Sequence, residues 1–154
     1  NNEKAHAFTA AFYPAAPGES LVPEGVEYPS AAWTFKPPQD HQIMNAILRM
    51  KPYKATRPGT ISNVFFRQTR EWLVPHLGPL YRATFTLGYY PDDWSRTETV
   101  VLRKSGKSDY HQPGAYRPIV LSNGHGRLLN SVVAEEVVKQ AEINRLLPTA
   151  QFGG

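Results

Sequence analysis

"TETVVLRKSGKSDYHQPGAYRPIVLS", Thr97 to Ser122, is the stretch whose reading decides the fold. "TETVVLRK" is rich in β-branched residues and too short for a stable helix, so it reads as a strand. "AYRPIVLS" reads as a second strand; Pro118 cannot donate to a ladder, which predicts an edge or a bulge there. The polar segment between them holds Gly106, Pro113 and Gly114, the residues of a turn or loop. Two strands and a mobile basic loop predict an antiparallel hairpin. Arg117, pinned between Tyr116 and Pro118, is held stiffly, and a guanidinium fork on a rigid strand suits bidentate contact with phosphate. Lys104 closes the partner strand, and a hairpin brings it toward Arg117. The two could neutralise a triphosphate. An ordinary hairpin with surface bases fits the same spacing.

Outward from the hairpin the pattern turns helical. Leu128, Leu129, Val132, Val133, Val137, Val138 and Ala141 make an apolar stripe at 3.6 spacing, which predicts a helix over 125–145. Upstream, Asp40 can cap a helix carrying Ile43, Met44, Ile47 and Leu48, stopped by Pro52. "YKATRPGTIS" follows as a loop with Lys54 and Arg57. Ser62 can cap a second helix with Val64, Phe65, Trp72 and Leu73, broken at Pro75. Leu77, Leu80, Tyr81 and Leu87 predict a third, ended by Gly88. Pro14, Pro17, Pro23, Pro29, Pro37 and Pro38 predict an extended proline-rich arm, taken as residues 1–39, ahead of a domain over 40–154. Several helices with one short antiparallel hairpin make the expected fold class α+β.

The 154 residues suffice for one domain or a large subdomain, and 41% hydrophobic with 19% charged residues is a globular composition. Asn1 is not an initiating methionine, and "QFGG" brings no closing element, so a piece of a longer protein is expected. The absence of cysteine excludes disulfides and thiolate metal sites. No apolar run has the length of a membrane span, and no membrane partner is expected. The net charge is +4. Between Arg96 and Arg127 lie Arg96, Arg103, Lys104, Lys107, Arg117 and Arg127 against only Glu98 and Asp109, so this segment holds the whole excess. A concentrated basic segment favours a phosphate-rich partner.

Several chemistries are excluded. "SGKS" at Ser105–Ser108 resembles the end of a P-loop, but Val101 stands where the first glycine is required, and Asp109, Pro113 and Gly114 prevent the helix that should follow. No two histidines sit at ligand spacing. No Gly-x-Ser-x-Gly elbow occurs. "GYYPDDW", Gly88 to Trp94, contains Tyr-x-Asp-Asp, the spelling of a polymerase metal site. It lies between a helix-ending glycine and a strand's entry, so Asp92 and Asp93 read as turn residues, with Trp94 packing inward.

"WSRTETVVLRKSGKSDYHQPGAYRPIVLSNGHGRLLNSVV" resembles the fingers region of non-LTR retrotransposon reverse transcriptases. The shared features are a Pro-x-x-Trp entry (Pro91 to Trp94), a valine-rich strand, Lys-x-Gly-Lys at Lys104 to Lys107, Tyr-Arg-Pro-Ile at Tyr116 to Ile119, and the long helix. Upstream, "LRMKPYKATRPGTISNVFF" is similar to the family's Lys-Ala-x-Gly-Pro-Asp-Gly-Ile element, here without the aspartate. "LLPTAQFGG" resembles the Gln-Phe-Gly segment that precedes the palm.

The resemblance implies a helix-rich fingers subdomain with a short antiparallel hairpin, from an RNA-directed DNA polymerase whose catalytic aspartates lie in a palm beyond Gly154. It implies nucleotide contacts by Lys104, Lys107 and Arg117, and template contacts by Lys54, Arg57, Arg103, Gln151 and Phe152. No catalytic residue, metal ligand or cofactor is expected within the chain; magnesium is expected through the palm. The implied partners are an RNA template, a DNA primer, a deoxynucleoside triphosphate, and the polymerase's own palm and thumb. The implied location is intracellular, in the nucleus. The other readings are a non-catalytic nucleic-acid-binding remnant and a helical protein-interaction domain. The resemblance also disposes of Tyr90-Pro91-Asp92-Asp93: the catalytic pair should follow Tyr-Arg-Pro-Ile, and this pair precedes it.

Overall fold

β-branched and apolar residues extend where the sequence predicts, and two equal strands result: β1 (Thr97–Arg103) and β2 (Tyr116–Ser122) form a two-stranded sheet. The computed structural model describes residues 2–16, 18 and 22–148, so Gln151 and Phe152 lie outside the described residues. Five helices accompany the sheet: α1 (Asn2–Phe12), α2 (Asp40–Arg49), α3 (Asn63–Leu87), the single-turn α4 (Asp92–Ser95) and α5 (Gly124–Ile143). A 3₁₀ turn at Pro113–Ala115 leads into β2. Mixed helix with a small antiparallel sheet is the expected α+β class. None of the described helices is long and apolar enough to cross a membrane.

The chain divides into two compact units, each built from two separate segments. One lies within Asn1–Ser30 and Thr99–Val120, the other within Ala31–Glu98 and Leu121–Gly154. The expected boundary at residue 39 follows proline content, whereas the units follow packing.

The second unit holds the core. Ile43 and Ile47 of α2, Phe66, Val74, Leu77 and Tyr81 of α3, and Leu128, Leu129 and Val132 of α5 are all buried together. Gln39, rather than the expected Asp40, is the N-cap of α2. The Gln39 amide donates to Gln42 Oε1 at 2.8 Å, a capping-box contact. Asp40 thereby enters the first turn, where an acid complements the helix dipole, and accepts from Arg82 Nη1 of α3 at 2.6 Å.

α3 corrects two expectations. Pro75 does not break it: the 25-residue helix runs from the Ser62 cap, which accepts from the Phe65 amide, to Gly88, with Pro75 and Pro79 inside. The reason is placement. Both prolines are exposed, so the Glu71 and Pro75 carbonyls that lose their amide partners face water, while Val74, Leu77, Gly78 and Tyr81 stay packed on the core side. The buried stripe is also a different one. Phe65 and Trp72, expected on the apolar face, are 42% and 67% exposed, and Phe66 and Val74 are buried instead. Gly88 has φ of 60°, the left-handed conformation that ends helices. Pro75→Ala restores an amide to a solvent-facing turn, and is expected to raise the unfolding free energy by on the order of 1 kcal/mol, read from a shifted urea midpoint.

α5 starts at the Asn123 cap, whose side chain accepts from the His125 amide at 2.9 Å. Its stripe is buried only as far as Val132 and partly at Val133; Val137 and Val138 are exposed.

In the first unit, α1 replaces the beginning of the expected extended arm. "NEKAHAFTAAF" contains neither proline nor glycine and is rich in alanine, and so favours helix; the first proline is Pro14, beyond its end. Phe8 and Phe12 stack one turn apart at 5.7 Å, and Phe8 meets Tyr116 of β2 edge-on at 4.8 Å. The Tyr13 hydroxyl and Thr99 Oγ1 share a hydrogen bond of 2.7 Å. The described residues between Tyr13 and Gln39 form no helix or strand.

Candidate functional site

The hairpin sorts its bases by face. The Lys104 amide donates to the Ala115 carbonyl at 2.9 Å just beyond the strand ends, so Lys104 lies opposite Ala115 and Arg103 opposite Tyr116. Side chains alternate along each strand. Thr99, Val101, Arg103 and Tyr116 therefore share one face, and Phe8 of α1 and Tyr13 just beyond it lie on that face. Lys104 and Arg117 share the other face as diagonal cross-strand neighbours, roughly 7–8 Å apart at this register. The hairpin thus brings Lys104 and Arg117 together, as the spacing predicts.

Their states differ. Arg117 is exposed, and among the described residues neither its side chain nor that of Lys107 has a hydrogen bond or ion pair. Lys104 is half-buried, and its ammonium donates to the Gly114 carbonyl at 2.8 Å. That bond orients the charge and leaves it without a counter-ion. Arg103 sits with its guanidinium carbon 5.0 Å above the Tyr110 ring, on the α1 side. It does not join Lys104 and Arg117.

The loop carrying Lys107 is more ordered than its composition predicts. Tyr110 donates its hydroxyl to the Lys104 carbonyl at 2.9 Å, and Tyr116 donates to the Tyr110 carbonyl at 3.0 Å. Asp109 Oδ1 accepts from the His111 amide at 2.7 Å, and Gly106 turns the chain at φ of 74°. Lys107 is exposed next to that turn.

The upstream loop is fixed by contacts that no local pattern shows. Its Arg57 guanidinium donates to Asp93 Oδ1 at 2.5 Å, and Asn123 Nδ2 donates to Asp93 Oδ2 at 2.7 Å. The Arg57 amide donates to the Ser122 carbonyl at 3.1 Å. The Arg57 side chain is 17% exposed, with its Nε buried and unpartnered, and is engaged as an internal strut. Its hydrogen bond holds the Asp93 carboxyl below the ordinary carboxylate value. Lys54, by contrast, is exposed. Asp93 is therefore a structural node, already held by a cation and an amide. Among the described residues no three His, Asp or Glu side chains gather as metal ligands, and the Asp92–Asp93 pair does not fit a metal centre. Trp94 packs as expected, edge-on to Tyr81 at 5.5 Å and stacked on His125 at 5.8 Å. Burial pulls the His125 imidazole below its usual value, which favours the neutral ring at this contact.

A second set of bases was not singled out from the sequence. Arg127 of α5 donates to the Ala55 carbonyl at 3.0 Å and to Asn63 Oδ1 at 2.5 Å. Asn63 is buried and donates from Nδ2 to the Lys51 carbonyl at 2.7 Å. The one available signal was a lone arginine in the first turn of a helix, where the dipole disfavours a cation.

No family model matches the chain. It is similar to the RNA-directed DNA polymerase from mobile element jockey of Drosophila melanogaster, 22% identical over 88% of this chain and 15% of that protein. The probable RNA-directed DNA polymerase from transposon BS of the same organism is 25% identical over 77% of this chain and 13% of its own length. The probable RNA-directed DNA polymerase from transposon X-element, also of Drosophila melanogaster, is 24% identical over 73% and 12%. The chain thus spans about one seventh or less of the curated relatives it matches. Across most of its length it is similar to RNA-directed DNA polymerases of non-LTR retrotransposons.

Proposed function

We propose that this chain is the fingers portion of an RNA-directed DNA polymerase, in which the hairpin holds the triphosphate of the incoming nucleotide. The observation that carries the reading is the shared face of Lys104 and Arg117, two cations without counter-ions on a short rigid hairpin. Arg117 offers a bidentate fork, Lys104 an ammonium oriented by the Gly114 carbonyl, and Lys107 a third charge from the adjoining turn. Fixed cations of this kind neutralise phosphate charge without reorganising at the moment of reaction. Lys54 and Arg103 contribute template contacts, and Arg57 holds the Lys54 loop in place through Asp93. The working partners are an RNA template, a DNA primer and a deoxynucleoside triphosphate, with the palm and thumb of the same polymerase. The residues described here supply positioning and electrostatics. The chain alone joins no nucleotides.

Equilibrium titration of a fluorescent deoxynucleoside triphosphate tests this. Arg117→Ala and Lys104→Ala are each expected to weaken binding about tenfold, or roughly 1.4 kcal/mol. Unchanged binding in both variants would overturn the assignment, as would primer extension by the chain alone.

A further inference from the structure

Arg127 is a half-buried cation whose partners are all neutral. Its two hydrogen bonds go to the Ala55 carbonyl and the Asn63 amide oxygen, and no carboxylate pairs with it among the described residues. Burial already works against its charge. A guanidinium held this way supplies positive potential to whatever it faces. It faces a cleft of about 390 Å³ in the second unit, lined also by Arg49, Lys51 and Lys54. Arg49 is neutralised by Glu135 of α5, but Lys51 and Lys54 have no ion pair among the described residues. Three uncompensated cations therefore converge on one concavity.

The geometry separates a floor from a rim. Arg127 is locked by Asn63, which also holds the Lys51 carbonyl, so the loop and α5 form one hydrogen-bonded base. Lys51 and Lys54 are exposed above it and free to follow a ligand. One fixed charge with two adaptable charges suits a chain of phosphates better than a single anion. Half-buried Met50 gives the lining an apolar portion against which a sugar can rest, and no aromatic ring is among the lining residues.

We infer that this cleft binds the sugar–phosphate backbone of a single nucleic-acid strand without sequence preference. The inference rests on the proposed function in one respect, the template role of Lys54, and extends it to Lys51 and Arg127 at a named site. It does not involve the hairpin.

Fluorescence anisotropy of the full chain with a labelled 12-nucleotide oligouridine, between 50 and 200 mM salt, tests it. The double variant Lys51→Gln/Lys54→Gln leaves the Asn63 and Arg127 contacts in place. It is expected to weaken binding on the order of tenfold at the lower salt, and to reduce the slope of log affinity against log salt by about 1.4, the value for two phosphates on a single strand. Unchanged affinity and slope would overturn the inference. So would displacement of the oligonucleotide by low-millimolar inorganic phosphate at constant ionic strength, which would mark a small-anion site. The hairpin assignment fails or survives separately: Arg117→Ala should weaken the nucleotide triphosphate while leaving the 12-mer's salt slope intact.

Discussion

Tyr81→Ala is expected to lower the unfolding free energy by about 3–5 kcal/mol, the range for emptying a large aromatic site in a core. Tyr81 has no exposed surface and lies where α3 meets both α5 and the Pro91–Trp94 turn. Its ring packs edge-on against Trp94, and its hydroxyl donates to the His125 carbonyl at 2.8 Å. Burial pushes the phenol's pKa well above its ordinary value, so the hydroxyl keeps its proton and remains a donor throughout the accessible pH range. Alanine removes the ring and the donor together. Domains of this size are commonly stable by about 5–15 kcal/mol, so the loss removes from about a fifth to all of that stability. Tyr81→Phe separates the contributions: it keeps the packing, removes the hydroxyl's bond to a His125 carbonyl that still accepts from the Leu129 amide within α5, and should cost about 0.5–1.5 kcal/mol. Urea unfolding followed by tryptophan fluorescence reads both. A Tyr81→Ala midpoint within error of the unsubstituted chain would contradict the packing described for α3 and α5.

Asn63→Leu should have the next largest effect, a loss of about 3 kcal/mol, from two hydrogen bonds lost at once, one of them to a charged group. The volume change is small, so cavity formation contributes little. The cost lies in the Lys51 carbonyl, left with the Lys54 amide at 3.3 Å, and the Arg127 guanidinium, left with the Ala55 carbonyl. The double variant Asn63→Leu/Arg127→Met removes the charge along with the amide. It should recover part of the loss, because an uncompensated buried charge costs more than an apolar replacement. A double variant less stable than Asn63→Leu alone would show that the Ala55 carbonyl contact matters more than the Asn63 one.

The hairpin was legible because strand alternation has a period of two. Once Thr97–Arg103 and Tyr116–Ser122 pair end to end, the shared face of Lys104 and Arg117 follows without side-chain modelling. α5, the cap at Ser62 and the stop at Gly88 rest on equally local chemistry. Other features depend on relations between distant residues. Pro75 looks like a stop until its solvent-facing position is known. Arg57 looks like a free base until Asp93, 36 residues on, is seen to hold it. The same contact explains why Tyr90-Pro91-Asp92-Asp93 imitates a metal site: the second aspartate is needed there, but for an arginine and an asparagine. The Arg127 cleft escaped notice because its cations come from α2, the following loop and α5, and no window of sequence contains them all.

The interleaving of the two units has a consequence for the newborn chain. α2 and α3 leave the ribosome well before α5, because β1, its loop and β2 are translated in between. At about 5–20 residues per second, Ile43, Ile47, Phe66 and Leu77 wait several seconds for Leu128 and Leu129 to emerge and cover them. During that interval a two-helix hairpin with an open greasy side is the species present in the cell. Its fate is a contest between chaperone capture and continued elongation, so slow codons between α3 and α5 should lower the yield of soluble protein.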